Sequence, residues 1–333
     1  MTKHHPGKAW INMKYYLGID LGGTNIAVGL VNENLEIIAK GSVPTGAERT
    51  ADEIIRDMAD LCIKVCADYG ISTADIAHAG IASPGTANSE TGVIEYANNL
   101  PFVNYPLAAK LSEMSGVKKV LIENDANAAA LGEAMAGAAK GARHSVMITL
   151  GTGVGGGIII DGKVYGGFNN AGAELGHMVI KHGGRPCSCG RRGCWEAYSS
   201  ATGLINMTKD KLEACKDAGT AAIMEEIVKD AGKVSGKTAF AAMKKGCKAG
   251  AEVVDEYISH LACGITNIIN IFRPDVLSIG GGICNEGDAL LNPLKEIVWK
   301  EAYGIEGHNR TDIVIAKLGN DAGIIGAAAL GLQ

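Results

Sequence analysis

The sequence predicts an α/β protein whose chain folds into two similar halves that meet at a cleft. Two observations support this fold class. Short apolar runs, typical of strands, end in glycine or acidic residues and lead into segments with helical spacing of apolar residues. The same order of motifs then occurs a second time. Because open α/β sheets bind ligands beyond the carboxyl ends of their strands, we expect the functional residues at those ends.

The first half contains a series of predicted strands and one clearly delimited helix. Thr50 and Glu53 form a predicted capping box, apolar residues follow at helical spacing, and Gly70 ends the helix. The last strand of this half, which begins at Val120, runs directly into Asn124–Asp125 and an alanine-rich helix. The preceding strands are predicted at residues 15–20, 26–31, 36–43 and 75–81.

The second half repeats this order with an insertion. The glycine after its first strand, Gly151, lies 129 residues beyond Gly22, whereas Gly280 lies 200 residues beyond Gly80. The second copy therefore carries about seventy extra residues, the sign of a duplication interrupted by an insertion. Asp161-Gly162 predicts a tight hairpin turn before the insertion.

The duplication also predicts the domain boundaries. We expect an N-terminal domain of residues 15–125, onto which the C-terminal helix (318–333) crosses back, and a larger C-terminal domain of residues 126–317. The insertion covers about 168–250 and precedes a long helix, Ala251–Phe272, that Pro274 terminates. Asn320–Asp321 precedes the last helix, where an N-cap is a sufficient explanation of the pair.

Composition excludes several classes of protein. The net charge of −5 over 333 residues does not favour a nucleic-acid or membrane partner. Met1–Lys14 lacks the apolar stretch of a secretory signal and no apolar run reaches spanning length, so we expect a cytoplasmic protein. The nine cysteines are then thiols or metal ligands. Translation from either Met1 or Met13 is compatible with the sequence.

Two glycine turns indicate phosphate binding. Bare backbone lets N–H groups approach phosphate oxygens, and Asp20 at the end of the first strand is suited to hold Mg²⁺ through water. A glycine-rich hairpin explains either turn alone, whereas both turns at one cleft favour a triphosphate clamped from two sides. A third glycine segment suits close approach to a purine ring or tight packing of a helix on a strand. The residues are Gly22, Gly23, Thr24 and Asn25, then Gly151, Thr152 and Gly153, and finally Gly280, Gly281 and Gly282.

One histidine and three cysteines in the insertion predict a zinc site. One imidazole and three thiolates satisfy tetrahedral Zn²⁺, and the intervening glycines supply the turns that bring the ligands together. A closed set of four protein ligands is structural, so the metal is expected to organise the loop. The ligands are His177, Cys187, Cys189 and Cys194. The remaining cysteines are expected to fill the core: Cys62, Cys66, Cys215, Cys247, Cys263 and Cys284.

Taken together, these motifs resemble the ROK family of bacterial sugar kinases and sugar-responsive repressors, and within it the zinc-containing glucokinases. The resemblance runs from about Tyr15 to the C-terminus. The motifs that carry it are Asp20-Leu-Gly-Gly-Thr-Asn, Glu123-Asn-Asp-Ala-Asn, Leu150-Gly-Thr-Gly-Val-Gly-Gly-Gly, Glu174-Leu-Gly-His177 and the cysteine segment from Cys187 to Glu196.

The resemblance implies a duplicated, actin-like ATPase (ribonuclease H-like) fold that transfers the ATP γ-phosphate to O6 of a hexose, with glucose as the main substrate. It implies that Asp125 is the general base and that Mg²⁺ accompanies ATP. The alternative for Asp125 is a helix cap without a catalytic role. It also implies a homodimer or a dimer of dimers. The residues expected to hold the sugar are Asn124, Glu174, His177 and Glu196, with Asn99 and Gly85 lining the same pocket.

Several alternatives stay open at this stage. N-acetylglucosamine, N-acetylmannosamine, mannose and fructose present hydroxyls similar to those of glucose, and polyphosphate is an alternative phosphate donor. A sugar-sensing repressor is the rival class, although Met1–Lys14 is shorter than a helix-turn-helix domain. A zinc-ribbon nucleic-acid module disagrees with the acidic charge balance.

Overall fold

The computed structural model describes residues 13–97, 99–215, 220–304 and 310–333. They form two compact units. The first comprises the described residues up to Gly141 together with Gly162–Gly172 and Asn320–Gln333, and the second comprises Ala142–Asp161 and Ala173–Gly319. The division expected from the sequence places residues 126–141 and 162–172 in the larger domain, so the two divisions differ in these segments.

The strands of the two five-stranded sheets follow the order that the sequence pattern indicates, and three short strands between residues 86 and 105 are additional. The strands are β1 (Tyr15–Leu21), β2 (Asn25–Val31), β3 (Ile37–Pro44), β4 (Ile76–Ser83), β5 (Thr86–Asn88), β6 (Val93–Tyr96), β7 (Val103–Tyr105), β8 (Val120–Asn124), β9 (Ser145–Leu150), β10 (Val154–Ile160), β11 (Lys163–Val164), β12 (Val276–Gly280) and β13 (Asp312–Ile315). The helices are α1 (Ala51–Tyr69), α2 (Leu107–Ser115), α3 (Asp125–Ala136), α4 (Glu196–Ser199), α5 (Ala201–Cys215), α6 (Ala222–Ala231), α7 (Thr238–Lys244), α8 (Lys248–Phe272), α9 (Asp288–Glu301) and α10 (Ala322–Ala329).

Two sheets have the same topology, which confirms the duplication. Their strand orders are β3-β2-β1-β4-β8 and β11-β10-β9-β12-β13. In each sheet, the first strand of the copy pairs antiparallel with the next and parallel with a later one. The parallel register sets Asp20 opposite Ala82, and Ala82 opposite Glu123. The carboxyl ends of β1, β4 and β8 therefore lie at one edge of the first sheet.

Helix α10 packs closely on the first sheet because the strands beneath it carry glycines. A side chain at Gly18 would overlap the carbonyl of Ile324, and a side chain at Gly80 would overlap that of Ala327. The helix itself is almost entirely apolar and buried, as expected of a helix covered on several faces. Helix α3 packs against α10 in the same unit.

Predicted helix ends and turns are largely confirmed. Thr50 and Glu53 form a capping box at α1, and Gly70 ends that helix in a left-handed conformation. The hairpin turn has positive φ at Asp161 and Gly162, as a two-residue turn requires. The cap expected at Asn320–Asp321 is wrong. Asp321 makes no side-chain bond to the helix and instead forms an ion pair with Lys40.

The second core surrounds the long helix α8, which carries buried residues along most of its length. Trp195 is fully buried in this core, and Gly264 of α8 lies against its ring. Among the cysteines expected in the core, Cys263 is only half-buried because it lies toward the partly exposed side of α8, and the other five are buried. Within the described residues, no helix has the length and apolar character needed to cross a membrane.

Candidate functional site

Asn124 and Asp125 lie at the corner where β8 ends and α3 begins. Asn124 is the N-cap: its Oδ1 accepts hydrogen bonds from the N–H groups of Ala126 (2.9 Å) and Asn127 (3.2 Å). Its Nδ2 donates to the carbonyl of Gly85 at 3.1 Å. The capping interpretation is therefore right for Asn124. Asp125 shares only the N–H of Ala126 with this cap, through its Oδ1.

Asp125 is exposed to solvent, although nearby protein atoms remove part of the water around its carboxylate. Loss of hydration raises the pKa of Asp125 above its usual value, while the N–H of Ala126, which donates to Oδ1 at 2.9 Å, acts in the opposite direction. An aspartate with a raised pKa at a strand end is a candidate proton acceptor.

Asp20, at the end of β1, is the second carboxylate at this edge of the sheet. Burial raises its pKa to about 6, with a further contribution from the negative charge of Asp125, while Lys40 acts in the opposite direction. The carboxylate packs against Gly323 at the start of α10, where a side chain would crowd it. Two carboxylates near enough to influence each other fit a hydrated divalent cation.

The first glycine turn connects β1 to β2 and is held by a residue that the sequence analysis missed. The N–H of Gly22 donates to the carbonyl of Asn25 at 3.0 Å, which closes the turn. Thr45, fully buried after β3, donates from Oγ1 to the Gly22 carbonyl at 2.6 Å and from its N–H to the Thr24 carbonyl at 2.8 Å. The turn is therefore rigid, as a phosphate-binding backbone must be.

Asn99 and Gly85 lie in the same unit as these residues. A Cβ at Gly23 would lie 3.9 Å from the Cβ of Asn99, so Asn99 adjoins the glycine turn. Gly85 has φ +93°, and a side chain there would overlap the backbone of Tyr96. The sequence-predicted site residues of the first half all lie in the first unit: Asp20, Gly22, Gly23, Thr24, Asn25, Gly85, Asn99, Asn124 and Asp125. Three pairs among them are linked directly: Gly23 with Asn99, Gly85 with Asn124, and Asp20 with Asp125.

The second glycine turn follows β9 in the second unit. Gly151 donates from its N–H to the carbonyl of Gly153 at 3.0 Å and accepts from the N–H of Ala201 at 2.9 Å. Thr202 donates from Oγ1 to the carbonyl of Thr152 at 2.8 Å. The start of α5 therefore supports this turn, a role for Thr202 that no local pattern indicates.

Gly280, Gly281 and Gly282 adjoin the second glycine turn. Gly281 has φ +104° and ψ 166°, a conformation that is essentially restricted to glycine. A side chain at Gly281 would overlap the carbonyl of Leu150, the residue directly before the turn. The second unit thus presents two stretches of side-chain-free backbone next to each other, which suits a nucleotide.

The four expected metal ligands converge at one point of the second unit. The ligand atoms of His177, Cys187, Cys189 and Cys194 all lie within 4.8 Å of one another. Nδ1 of His177 is 3.7 Å from Sγ of Cys187, and the sulfurs of Cys189 and Cys194 are also 3.7 Å apart. A tetrahedral metal with bonds of about 2.3 Å has edges of about 3.8 Å. The donor set and its spacing fit a tetrahedral metal ion.

Backbone bonds fold the cysteine segment into this arrangement. The N–H of Cys187 donates to the carbonyl of Arg191 at 2.9 Å, and the N–H of Gly190 donates to the carbonyl of Cys187 at 3.0 Å. Trp195 donates from its N–H to Met178 at 2.7 Å and from Nε1 to the carbonyl of His260 at 3.0 Å. The indole therefore anchors the segment Cys187–Glu196, the metal loop, to α8.

Glu196 connects the metal loop to the second glycine turn. Its Oε2 accepts from the N–H of Val154 at 3.0 Å, and its Oε1 accepts from Oγ of Ser188 at 3.3 Å. Glu174, before the short turn that carries His177, is exposed. A cavity of about 600 Å³ opens here, and its lining includes Thr152, Gly153, Cys187, Ser188, Glu196 and Thr202.

Two sheets of identical topology, each with a glycine turn after the first strand of its copy, define the fold class as the duplicated actin-like ATPase fold. Residues 16–333 match the ROK family, and the chain belongs to that family. It is 36% identical over 319 residues to the glucokinase of Halalkalibacterium halodurans, covering 95% of this chain and 94% of that protein. It is also 36% identical over 316 residues to the glucokinase of Thermotoga maritima, covering 94% of this chain and 96% of that protein.

Solved structures agree with this assignment. A ROK family glucokinase from Streptomyces griseus in complex with glucose and AMPPNP superposes with a TM-score of 0.75. It is 32% identical to this chain, and the match covers 95% of this chain and 98% of that one. The sequence-based assignment to the ROK family and to its fold is confirmed.

Proposed function

We propose that the chain is an ATP-dependent glucokinase that transfers the γ-phosphate to O6 of glucose. The observation that carries this proposal is the position of Asp125, a carboxylate with a raised pKa, at the sheet edge where β1 ends in Asp20 and the first glycine turn. The glucokinase relatives, which match nearly the full length of the chain, support glucose as the substrate. The related glucokinase structure in complex with glucose and AMPPNP supports ATP as the donor. N-acetylated hexoses, mannose and fructose are the alternative acceptors.

In this mechanism Asp125 accepts the proton of the attacking sugar hydroxyl. Phosphoryl transfer depends mainly on alignment and charge neutralisation, so one well-placed carboxylate is sufficient as a base. Such a base contributes about 10²- to 10⁴-fold to the rate. Asn124, with its amide held by Gly85, would orient the sugar from the same corner.

The nucleotide would bind to backbone. The N–H groups of Gly22 and Gly151 close their own turns, so other N–H groups of Gly22–Asn25 and Gly151–Gly153 would serve as donors for phosphate oxygens. Gly280–Gly282 would leave room for the base. Asp20 would hold Mg²⁺ through water, and that ion would neutralise charge developing on the phosphates. The influence of Asp125 on the pKa of Asp20 supports this placement because a divalent cation relieves the repulsion between the two carboxylates.

Residues of the metal loop and of the segment before it would bind the sugar. We infer that the ion is Zn²⁺, since one histidine and three cysteines are its preferred structural ligands. His177 turns Nδ1 toward the cysteines, which leaves Nε2 for a sugar hydroxyl, and a bound metal would fix that tautomer and orientation. Glu174 and Glu196 would accept hydrogen bonds from further hydroxyls.

A coupled assay over a panel of sugars and donors tests the proposal. We expect the highest kcat/KM with glucose and MgATP, formation of glucose 6-phosphate, and little turnover with polyphosphate. A higher kcat/KM with an N-acetylated hexose would reassign the acceptor and leave the reaction class intact. Absence of phosphoryl transfer to any hexose would refute the proposal.

A further inference from the structure

Glu123 is a buried carboxylate directly before the Asn124–Asp125 pair. Only 5% of its surface is exposed, and burial raises its pKa. Its Oε1 accepts two hydrogen bonds, from the N–H of Asn124 at 2.9 Å and from Nδ2 of Asn127 at 3.0 Å. A buried carboxylate is costly unless such donors satisfy it, so its presence here calls for a role.

The two bonds span the corner at which Asp125 lies. Asn124 is the last residue of β8, and Asn127 lies in the first turn of α3. Asn127 is 2% exposed, and its Oδ1 has no hydrogen-bond partner among the residues that the structure describes. The bond to Glu123 therefore sets the orientation of this amide. One oxygen of Glu123 thus ties the strand end to the helix start on either side of Asp125.

We propose that Glu123, with Asn127, is a positioning residue that sets the direction in which Asp125 and Asn124 face the substrate. The inference rests on the proposed role of Asp125 as general base. The side chain of Asn124 caps the helix end, so the Glu123–Asn127 pair is not needed for capping. Its two bonds instead hold the angle between β8 and α3, and a carboxylate displaced by a fraction of an ångström loses alignment with the attacking hydroxyl.

Two substitutions at Glu123 separate its hydrogen bonds from its charge. Glu123→Ala removes the acceptor of both donors, and we expect kcat to fall about 10- to 100-fold, the typical effect of a misplaced catalytic group. Glu123→Gln keeps an oxygen that accepts from Asn124 and Asn127, so we expect it to recover most of the lost turnover. Failure of Glu123→Gln to recover turnover would overturn the positioning role.

A double-mutant cycle with Asp125→Asn provides a readout that a purely structural role does not move. If Glu123 acts through Asp125, adding Glu123→Ala to Asp125→Asn changes the residual kcat little, because residues that act as a unit are not additive. Full multiplication of the two losses would overturn the inference and leave the proposed function standing. Normal turnover of Asp125→Asn alone would refute the proposed base and this inference with it.

Glu133 provides a matched control on the same helix. It is fully buried and accepts from the N–H of Ala138 at 2.6 Å, at the opposite end of α3. We expect Glu133→Ala to lower the unfolding temperature. In the cycle, its effect on kcat should multiply with the effect of Asp125→Asn. If Glu123→Ala does not yield folded protein, Asn127→Ala removes one arm of the pair and is tested in the same cycle with the same criterion.

Discussion

At the scale of single residues, the candidate site combines two carboxylates that the fold keeps in unfavourable surroundings. Burial raises the pKa of Asp20 to about 6, and the negative charge of Asp125 contributes to this increase. Active sites commonly retain such groups at a cost in stability. A nearby cation would offset this cost, which fits the proposed role of Asp20 toward Mg²⁺.

The raised pKa of Asp20 makes stability without ligand depend on pH. The folded state favours protonated Asp20. The contribution of this group to the free energy of unfolding is therefore fully present below its unfolded pKa of 3.8 and is lost as pH rises through about 6. At pH 7.5 the free energy of unfolding is lower by about 2 to 3 kcal/mol for this reason. We therefore expect Asp20→Asn to raise the unfolding temperature at pH 7.5 and to have little effect at pH 4, measured by calorimetry without nucleotide.

Glu90→Gln, at an exposed turn, is the control for the loss of one carboxylate. It should leave the unfolding temperature nearly unchanged at both pH values. An equal shift for Asp20→Asn at pH 4 and pH 7.5 would show that the gain does not come from ionisation.

At the scale of elements, the structure predicts different tolerance at two adjacent glycines. Gly281→Ala places a side chain against the Leu150 carbonyl in a glycine-only conformation, which costs about 1 to 3 kcal/mol. Leu150 and the second glycine turn that follows it must shift to relieve the overlap. We therefore expect KM for ATP to rise about tenfold, the equivalent of about 1.4 kcal/mol. Steady-state kinetics with varied ATP at saturating glucose measure this change.

Gly282→Ala is the matched comparison because a Cβ there meets no described residue within 4 Å. We expect its KM for ATP to rise less than that of Gly281→Ala, because its added methyl group displaces no backbone. Equal effects of the two substitutions would mean that the packing of Gly281 on Leu150 does not shape the nucleotide site.

The metal loop gives a second prediction at this scale. Removing the proposed metal ion should release His177 and the segment that carries Ser188 and Glu196. We expect chelation to lower the affinity for glucose, measured by titration calorimetry, more than the affinity for ATP, because backbone amides of other segments hold the phosphates. The unfolding temperature should also fall, since structural metal binding contributes to folding.

Cys189→Ser should reproduce the loss of metal, which elemental analysis measures directly. Cys263→Ser is the control because Cys263 is a half-buried thiol outside the cluster. Unchanged glucose affinity in protein shown to be free of metal would contradict the proposed coupling between metal and sugar.

At the scale of the whole molecule, local patterns predicted the two sheets and most helix ends. Alternating apolar strands, the capping box at Thr50 and the turn at Asp161-Gly162 depend on neighbours in sequence, and the structure confirms them. The three-stranded sheet β5-β6-β7 was missed because its strands of three or four residues are too short to show a period.

Contacts between distant segments were also beyond local patterns. The support of the glycine turns by Thr45 and Thr202, and the bond from Val154 to Glu196, exist only once separate segments pack together. At Asp321 the local motif predicts a helix cap that the structure does not contain. Its carboxylate forms an ion pair with Lys40, which is distant in sequence. A homodimer or dimer of dimers stays a prediction from the family resemblance, and sedimentation velocity would measure it.

The most direct test of the central claim is Asp125→Asn, assayed for both glucose binding and turnover. Asparagine keeps an oxygen for the N–H of Ala126 and the size of the side chain, but it accepts a proton poorly. We expect glucose affinity by calorimetry to stay near that of the unchanged protein, while kcat falls about 10²- to 10⁴-fold. Turnover close to normal in this variant would contradict the account.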